Sequence, residues 1–166
     1  MDTINKAIIF DRDGVINYLI FRPKDNFDKT LGWYSPLTLK DFSFVDGILE
    51  QIELFKKKGY LIIIIKNEPS IGRELSIEEF LKIDRFVRQT IKPAEIYYCP
   101  HRTKDNCGCK KPKPGLFLQA IKDFNLDINE SICIGDSPSD TTAARAAGFK
   151  QAFEVESCRR GENKNG

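Results

Sequence analysis

The chain has 166 residues, and its 26 Lys and Arg nearly cancel its 24 Asp and Glu to leave a net charge of +2. That length suits one domain with a full sheet-and-helix core, and so even a balance excludes a global electrostatic case for nucleic-acid or membrane binding. The five cysteines, an odd number, argue against a disulfide framework.

The opening Met-Asp-Thr-Ile-Asn-Lys has no basic n-region followed by a long apolar stretch, and Leu61 to Ile65 is far too short to span a bilayer. A soluble, cytoplasmic protein is therefore expected. The first element is the apolar run at 6–10, a buried parallel strand whose carboxyl end carries Asp11 and Asp13. Open α/β sheets place ligands at that end, and two carboxylates so close repel unless a cation or chemistry needs them. Residues 18–44, with Pro23, Phe21, Phe27, Trp33 and Tyr34, are long for a connection and are read as a substrate loop.

Ile48, Leu49, Ile52 and Phe55 then form a helical stripe closed by Lys56-Lys57-Lys58-Gly59. A strand at 60–65 follows. Ser76 and Glu79 read as a capping box for a helix with Phe80, Ile83, Val87 and Ile91 on one face, ending before Pro93. After a strand at 95–99, Pro114 opens a helix whose Leu116, Phe117, Ala120, Ile121 and Phe124 face the core. A strand at 131–135, a small-residue helix from Thr141 to Gly148 and a strand at 150–155 complete the alternation. The expected architecture is an α/β, Rossmann-like, three-layer parallel sheet over residues 1–156, with 157–166 as a disordered tail.

Two clusters carry chemistry. Asp136 and Asp140 follow the strand at 131–135, and if that strand neighbours the first, Asp136 joins Asp11 in an oxygen cluster suited to Mg²⁺. Such an ion can bridge phosphate oxygens while a carboxylate attacks phosphorus. Cys99, His101, Cys107 and Cys109 have zinc spacing, and four such ligands leave Zn²⁺ no open position, so that site is structural. This zinc-clamped loop runs straight into Lys110 and Lys111. Cys133 and Cys158 read as free thiols.

The motifs Asp11-Arg-Asp13-Gly14-Val15-Ile16, Lys111 and Gly135-Asp136-Ser-Pro-Ser-Asp140 resemble motifs I, III and IV of the haloacid dehalogenase (HAD) superfamily of phosphatases, over residues 6 to about 150. The resemblance implies a capless HAD-type fold, with Asp11 as nucleophile, Asp13 as general acid/base and a backbone ligand for Mg²⁺, and Asp136 as its side-chain ligand. Asp140 would orient that cluster or merely cap a helix. Cys-Pro-His followed by Cys-x-Cys-Lys-Lys-Pro is similar to the subgroup containing D-glycero-D-manno-heptose 1,7-bisphosphate phosphatase and the histidinol-phosphate phosphatase domain. That likeness implies Lys111 as the phosphoryl cation and Lys110 as a substrate contact.

Lys66-Asn67-Glu68-Pro-Ser-Ile-Gly-Arg73 aligns with a motif usually written Thr-Asn-Gln-Ser-Gly-Ile-x-Arg. Lys66 stands where a hydroxyl should be, either to touch phosphate or to pair with Asp11, and Ser70 is the nearest alternative hydroxyl. With Asn67, Arg73 and Ser137, which stands where heptose enzymes usually have Lys, it completes the expected substrate-binding set. The implied activity is Mg²⁺-dependent hydrolysis of a small phosphorylated metabolite, a heptose bisphosphate first and histidinol phosphate second, by a monomer. A repurposed HAD-like protein is a further reading. From another class comes a zinc-knuckle nucleic-acid module, with Tyr97, Tyr98 and the lysines as its surface, which the charge balance opposes.

Overall fold

The computed structural model describes residues 3–22 and 32–161. In chain order the elements are β1 Lys6–Phe10, β2 Ile20–Arg22, β3 Gly32–Tyr34, α1 Ile48–Lys57, β4 Tyr60–Asn67, α2 Ile77–Ile91, β5 Glu95–Cys99, α3 Gly115–Phe124, β6 Ile132–Gly135, α4 Pro138–Ala146 and β7 Gln151–Glu154. Short 3-10 turns lie at Leu39–Asp41 and Thr103–Asp105.

Five strands form one parallel sheet in the order β5-β4-β1-β6-β7. Side chains of a strand alternate between faces, and the aliphatic runs use both. Ile8, Phe10, Ile62 and Ile64 face a core with Ile52 of α1 and Ile83, Val87 and Ile91 of α2. Ala7, Ile9, Ile63 and Ile65 face the opposite core with Phe117 and Ala120 of α3 and Ala143 and Ala144 of α4. Truncating one of these wholly buried isoleucines to alanine costs about 2–5 kcal/mol in such a setting. The expected three-layer α/β architecture is thus the one observed. Because the chain runs β1, β4, β5 on one side and returns to β6 on the other, the strand order reverses beside β1. The carboxyl ends of β1 and β6 border that crevice, where open sheets bind ligands. The Asp11 N–H donates to the Ile134 carbonyl at 2.9 Å and holds the two ends together.

Several boundaries differ from the sequence reading. β4 runs two residues further, through Lys66 and Asn67, which pair with Tyr98 and Cys99. α4 starts at Pro138, because the Asp140 carboxylate accepts the Ser137 N–H at 3.0 Å and caps the helix there. Residues 18–44 are not simply a loop: β2 and β3 pair antiparallel with Phe21 opposite Trp33. Trp33 packs edge-on against Phe21 and lies under the Arg159 guanidinium, while Tyr34 lies under Arg22. Pro23 and Phe27 lie outside the described residues.

The expected tail requires correction. Residues 157–161 are seated on the domain: Cys158 N–H donates to the Gly14 carbonyl at 2.8 Å, Leu19 N–H to the Cys158 carbonyl at 2.9 Å, and Arg160 N–H to the Leu19 carbonyl at 2.9 Å. The anchoring is by backbone and polar groups, which an apolar pattern does not register. Residues 162–166 lie outside the described residues.

Candidate active site

Each strand end at the crevice delivers a charged side chain. β1 ends just before Asp11 and β6 just before Asp136, and carboxylate oxygens of Asp11, Asp136 and Asp140 all lie within 4.8 Å of one another. Their repulsion is met by Lys111. Its ammonium, on a 5 % exposed residue, donates to Asp11 Oδ1 at 2.8 Å and to the Ile65 carbonyl at 2.8 Å and pairs with Asp140 Oδ1 at 2.6 Å. Three N–H bonds therefore meet three acceptors.

Burial pushes Lys111 toward its neutral form, but Asp11 and Asp140 reverse that and raise its pKa above the ordinary lysine value. Burial raises Asp11 to about 6 against the lowering effect of Lys111, with Asp140 and Asp13 adding to the rise. Asp140 has both oxygens engaged, one by Lys111 and the other by Ser137 N–H and Oγ. It therefore caps α4 and fixes the cation at once. Gly135 permits this, since a Cβ there would stand 2.3 Å from the Asp140 Cβ.

Asp13 lines the same cavity but is engaged by different cations. Its Oδ1 accepts from Arg12 Nε at 3.2 Å, its Oδ2 lies 2.5 Å from Lys66 Nζ, and Lys66 reaches Glu68 Oε2 at 2.5 Å. Arg12 also approaches Glu68 Oε2 at 3.5 Å, and none of the four residues exceeds 7 % exposure. Two cations and two anions thus form a closed buried set. Burial alone would raise Asp13, but Arg12, Lys66 and Ser35 hold its carboxyl well below the usual carboxylate range.

The sequence left Lys66 to touch phosphate or pair with Asp11; the ammonium pairs with Asp13 and Glu68, while Lys111 takes Asp11. Ser70 does not supply a hydroxyl to the cavity, because it donates to Glu68. Ser35 does face it. An open cavity of about 230 Å³ is lined by Asp11, Asp13, Ser35, Lys66, Lys111 and Asp136, with Asn67, Ser137 and Asp140 among its other walls.

The remaining expected contacts divide. Asn67 clasps Lys111 by its main chain, Nδ2 donating to the Lys111 carbonyl at 3.1 Å and Oδ1 accepting its N–H at 3.0 Å. Lys110 lines a neighbouring cavity of about 250 Å³ with Arg102 and Ser70. Arg73 does not line the carboxylate cavity and instead donates to the Pro69 and Pro100 carbonyls, so its guanidinium braces two turns.

Sequence reasoning missed Arg12, Ser35 and Ser157. Arg12 carried a signal, a base between two acids at a buried strand end. Ser35 and Ser157 carried none, because long-range contacts alone bring them in.

Cys99, His101, Cys107 and Cys109 also converge. Sulfur separations are 3.3–3.7 Å, and His101 Nδ1 lies 3.5 Å from Cys99 Sγ and 3.2 Å from Cys109 Sγ. Bonds of 2.3 Å to a tetrahedral ion place ligand sulfurs about 3.8 Å apart, so these soft donors fit a thiolate-binding metal. The acidic cluster, all hard oxygen donors, fits a small divalent cation instead.

A family model described as haloacid dehalogenase-like hydrolase matches residues 33–148. A D-glycero-alpha-D-manno-heptose-1,7-bisphosphate 7-phosphatase of Campylobacter jejuni is 39% identical over 144 residues, covering 83% of this chain and 75% of that protein. The D-glycero-beta-D-manno-heptose-1,7-bisphosphate 7-phosphatase of Pasteurella multocida is 34% identical over 164 residues, covering 92% and 82%. Among solved structures, the D,D-heptose 1,7-bisphosphate phosphatase of B. bronchiseptica, complexed with magnesium and phosphate, superposes with a TM-score of 0.73 at 26% identity over 92% of this chain and 82% of that one.

The buried charge set yields an expected outcome. Lys66→Thr leaves Glu68 without its closest cation, and urea unfolding at pH 7 should show a loss of about 3–5 kcal/mol, the usual cost of breaking a buried pair. Adding Glu68→Gln should restore a large part of it. Equal or additive losses in the double variant would show that the two residues are not coupled.

Proposed function

The chain belongs to the haloacid dehalogenase-like hydrolases, and on that premise we propose that it is a phosphatase removing the 7-phosphate of a D-glycero-D-manno-heptose 1,7-bisphosphate. The convergence of Asp11, Asp136 and Lys111 at one sheet edge carries the reading. The names of the relatives, which extend over most of this chain, support the substrate.

In this scheme an Asp11 carboxylate oxygen attacks phosphorus, the bond from phosphorus to the sugar oxygen breaks, and an aspartyl-phosphate forms. Water then attacks the same phosphorus, releasing inorganic phosphate and restoring Asp11. Lys111 sets a fixed cation where negative charge spreads over the phosphoryl oxygens, without reorganisation during reaction. The Asp13–Lys66 pair, a carboxylate and an ammonium 2.5 Å apart on the cavity wall, handles the protons. It supplies one to the departing sugar oxygen and takes one from the attacking water.

Asp11, the Asp13 main-chain carbonyl and Asp136 would hold Mg²⁺, which when bound polarises phosphoryl oxygens as a Lewis acid. Cys99, His101, Cys107 and Cys109 would hold Zn²⁺ as a closed structural clamp, keeping Lys110 and Lys111 in place. Lys110 is suited to the distal part of the substrate and Ser137 to the phosphoryl end. We take residues 1–156 together with the seated residues 157–161 as one domain working as a cytoplasmic monomer on a small metabolite. No described helix is long and apolar enough to cross a membrane.

A panel of both heptose 1,7-bisphosphate anomers, histidinol phosphate and simpler sugar phosphates, assayed with Mg²⁺ by phosphate release, should give the highest kcat/KM on a heptose bisphosphate. Preference for histidinol phosphate would overturn the substrate, and no turnover on any member would overturn the enzyme reading. Asp11→Asn should abolish turnover while its thermal unfolding stays cooperative.

The pH dependence has a definite sign. Asp11 reacts as the anion, and its carboxyl is raised to about 6, so lowering pH through that value protonates it. The kcat/KM should therefore fall below about pH 6, with the midpoint moving lower as Mg²⁺ rises, because the cation favours the anion. At the lowest Mg²⁺ concentration that supports turnover, a profile flat from pH 7 to 5 would refute the assignment. Protein purified without chelator should carry about one zinc per chain by elemental analysis, and stripping it should lower the melting temperature. Metal-free protein with unchanged stability would remove the clamp.

A further inference from the structure

Asp136 is met from an unexpected direction. Ser157 Oγ donates to Asp136 Oδ2 at 2.7 Å across a sequence separation of 21 residues. The contact is enclosed by Gly14, whose φ is +81° and where a Cβ would stand 2.1 Å from Asp136 Oδ2 and 3.4 Å from the Ser157 Cβ. No side chain can come between the β1 loop and the carboxylate, so the serine hydroxyl approaches past bare backbone.

The segment delivering it is tied on both sides. Val155 N–H donates to the Gly135 carbonyl at 2.8 Å before it, and Cys158 N–H to the Gly14 carbonyl at 2.8 Å just after it. Arg160 Nη2 then donates to Ser43 Oγ at 2.8 Å. Ser157 is thus held between two backbone anchors, each on one of the two acid-bearing loops. A carboxylate whose one oxygen accepts a fixed hydrogen bond has its rotation restricted, which presents the other oxygen in a set direction.

We infer that Ser157 is a positioning residue for the Mg²⁺ ligand Asp136, brought to that carboxylate by the anchored segment 155–160. The inference rests on the reading of Asp136 as a metal ligand. Outer partners of metal ligands typically tune affinity by 10–100-fold, and a singly held carboxylate falls at the lower end. Ser157→Ala should therefore weaken Mg²⁺ binding by about 10-fold in calorimetric titrations of substrate-free protein. Ser157→Cys, which preserves volume but donates weakly, should behave like the alanine variant, and Ser157→Thr should stay close to wild type.

In assays the Mg²⁺ concentration for half-maximal rate should rise in parallel, with kcat at saturating Mg²⁺ little changed. Melting curves recorded without added Mg²⁺ and without chelator check that the variants fold. Unchanged Mg²⁺ affinity in Ser157→Ala, or equal weakening in Ser157→Thr, would overturn the inference. The titration needs no substrate, so failure of the phosphatase reading would appear separately, as absent turnover with the metal-binding differences intact.

Discussion

The ammonium of Lys111 is the contact on which the site depends. Asp11, Asp136 and Asp140 crowd oxygens within 4.8 Å of one another at the end of a parallel sheet, and such a cluster opposes folding unless cations accompany it. Lys111 is nearly inaccessible, and its three donors are met by two carboxylates and the last buried carbonyl of the isoleucine run in β4. That environment keeps it charged, and the same charge faces the cavity. Structural and chemical requirements are met by one group, so the loop carrying it is held twice, by Asn67 and by the Cys and His cluster two residues upstream.

Beside this runs a second, electrically closed arrangement of Arg12, Asp13, Lys66 and Glu68. A lysine where related motifs have a hydroxyl reads as a defect when taken alone. The partner change explains it: Glu68 lies 2.5 Å from Lys66, and the pair adds one charge of each sign to a buried region that already holds Arg12 and Asp13. Buried charges persist only with such partners, since an unmatched one costs several kcal/mol. Lys66 is therefore intelligible only together with Glu68, and both act on Asp13 rather than on Asp11.

How much could be read beforehand follows from the range of each contact. The strands, the helices and the Asp11, Asp136 and Cys/His positions are written in local periodicity and spacing, because burial on both faces demands aliphatic runs and metal ligation demands clustered donors. The partner of Lys66 is not, since it depends on the register that sets Phe10 beside Ile64 and so brings the end of β4 level with the β1 loop. Residues 157–161 were misread for a related reason. They are held by main-chain hydrogen bonds and a serine hydroxyl, and a search for apolar anchors passes over such a segment. Trp33 and Tyr34, expected in a substrate loop, instead gain Phe21 and Arg22 as neighbours through the β2–β3 pairing, and the C-terminal segment adds Arg159 over Trp33.

The Asn67 clasp separates scaffold from chemistry at position 111. Asn67 grips the peptide groups of that residue and ignores its side chain. The loop's path is thus held by the peptide groups, while the cavity's charge is set by the side chain. Two independent holds therefore meet at position 111, one on its main chain and one on its ammonium, so that the peptide path and the direction of the charge are set by different partners.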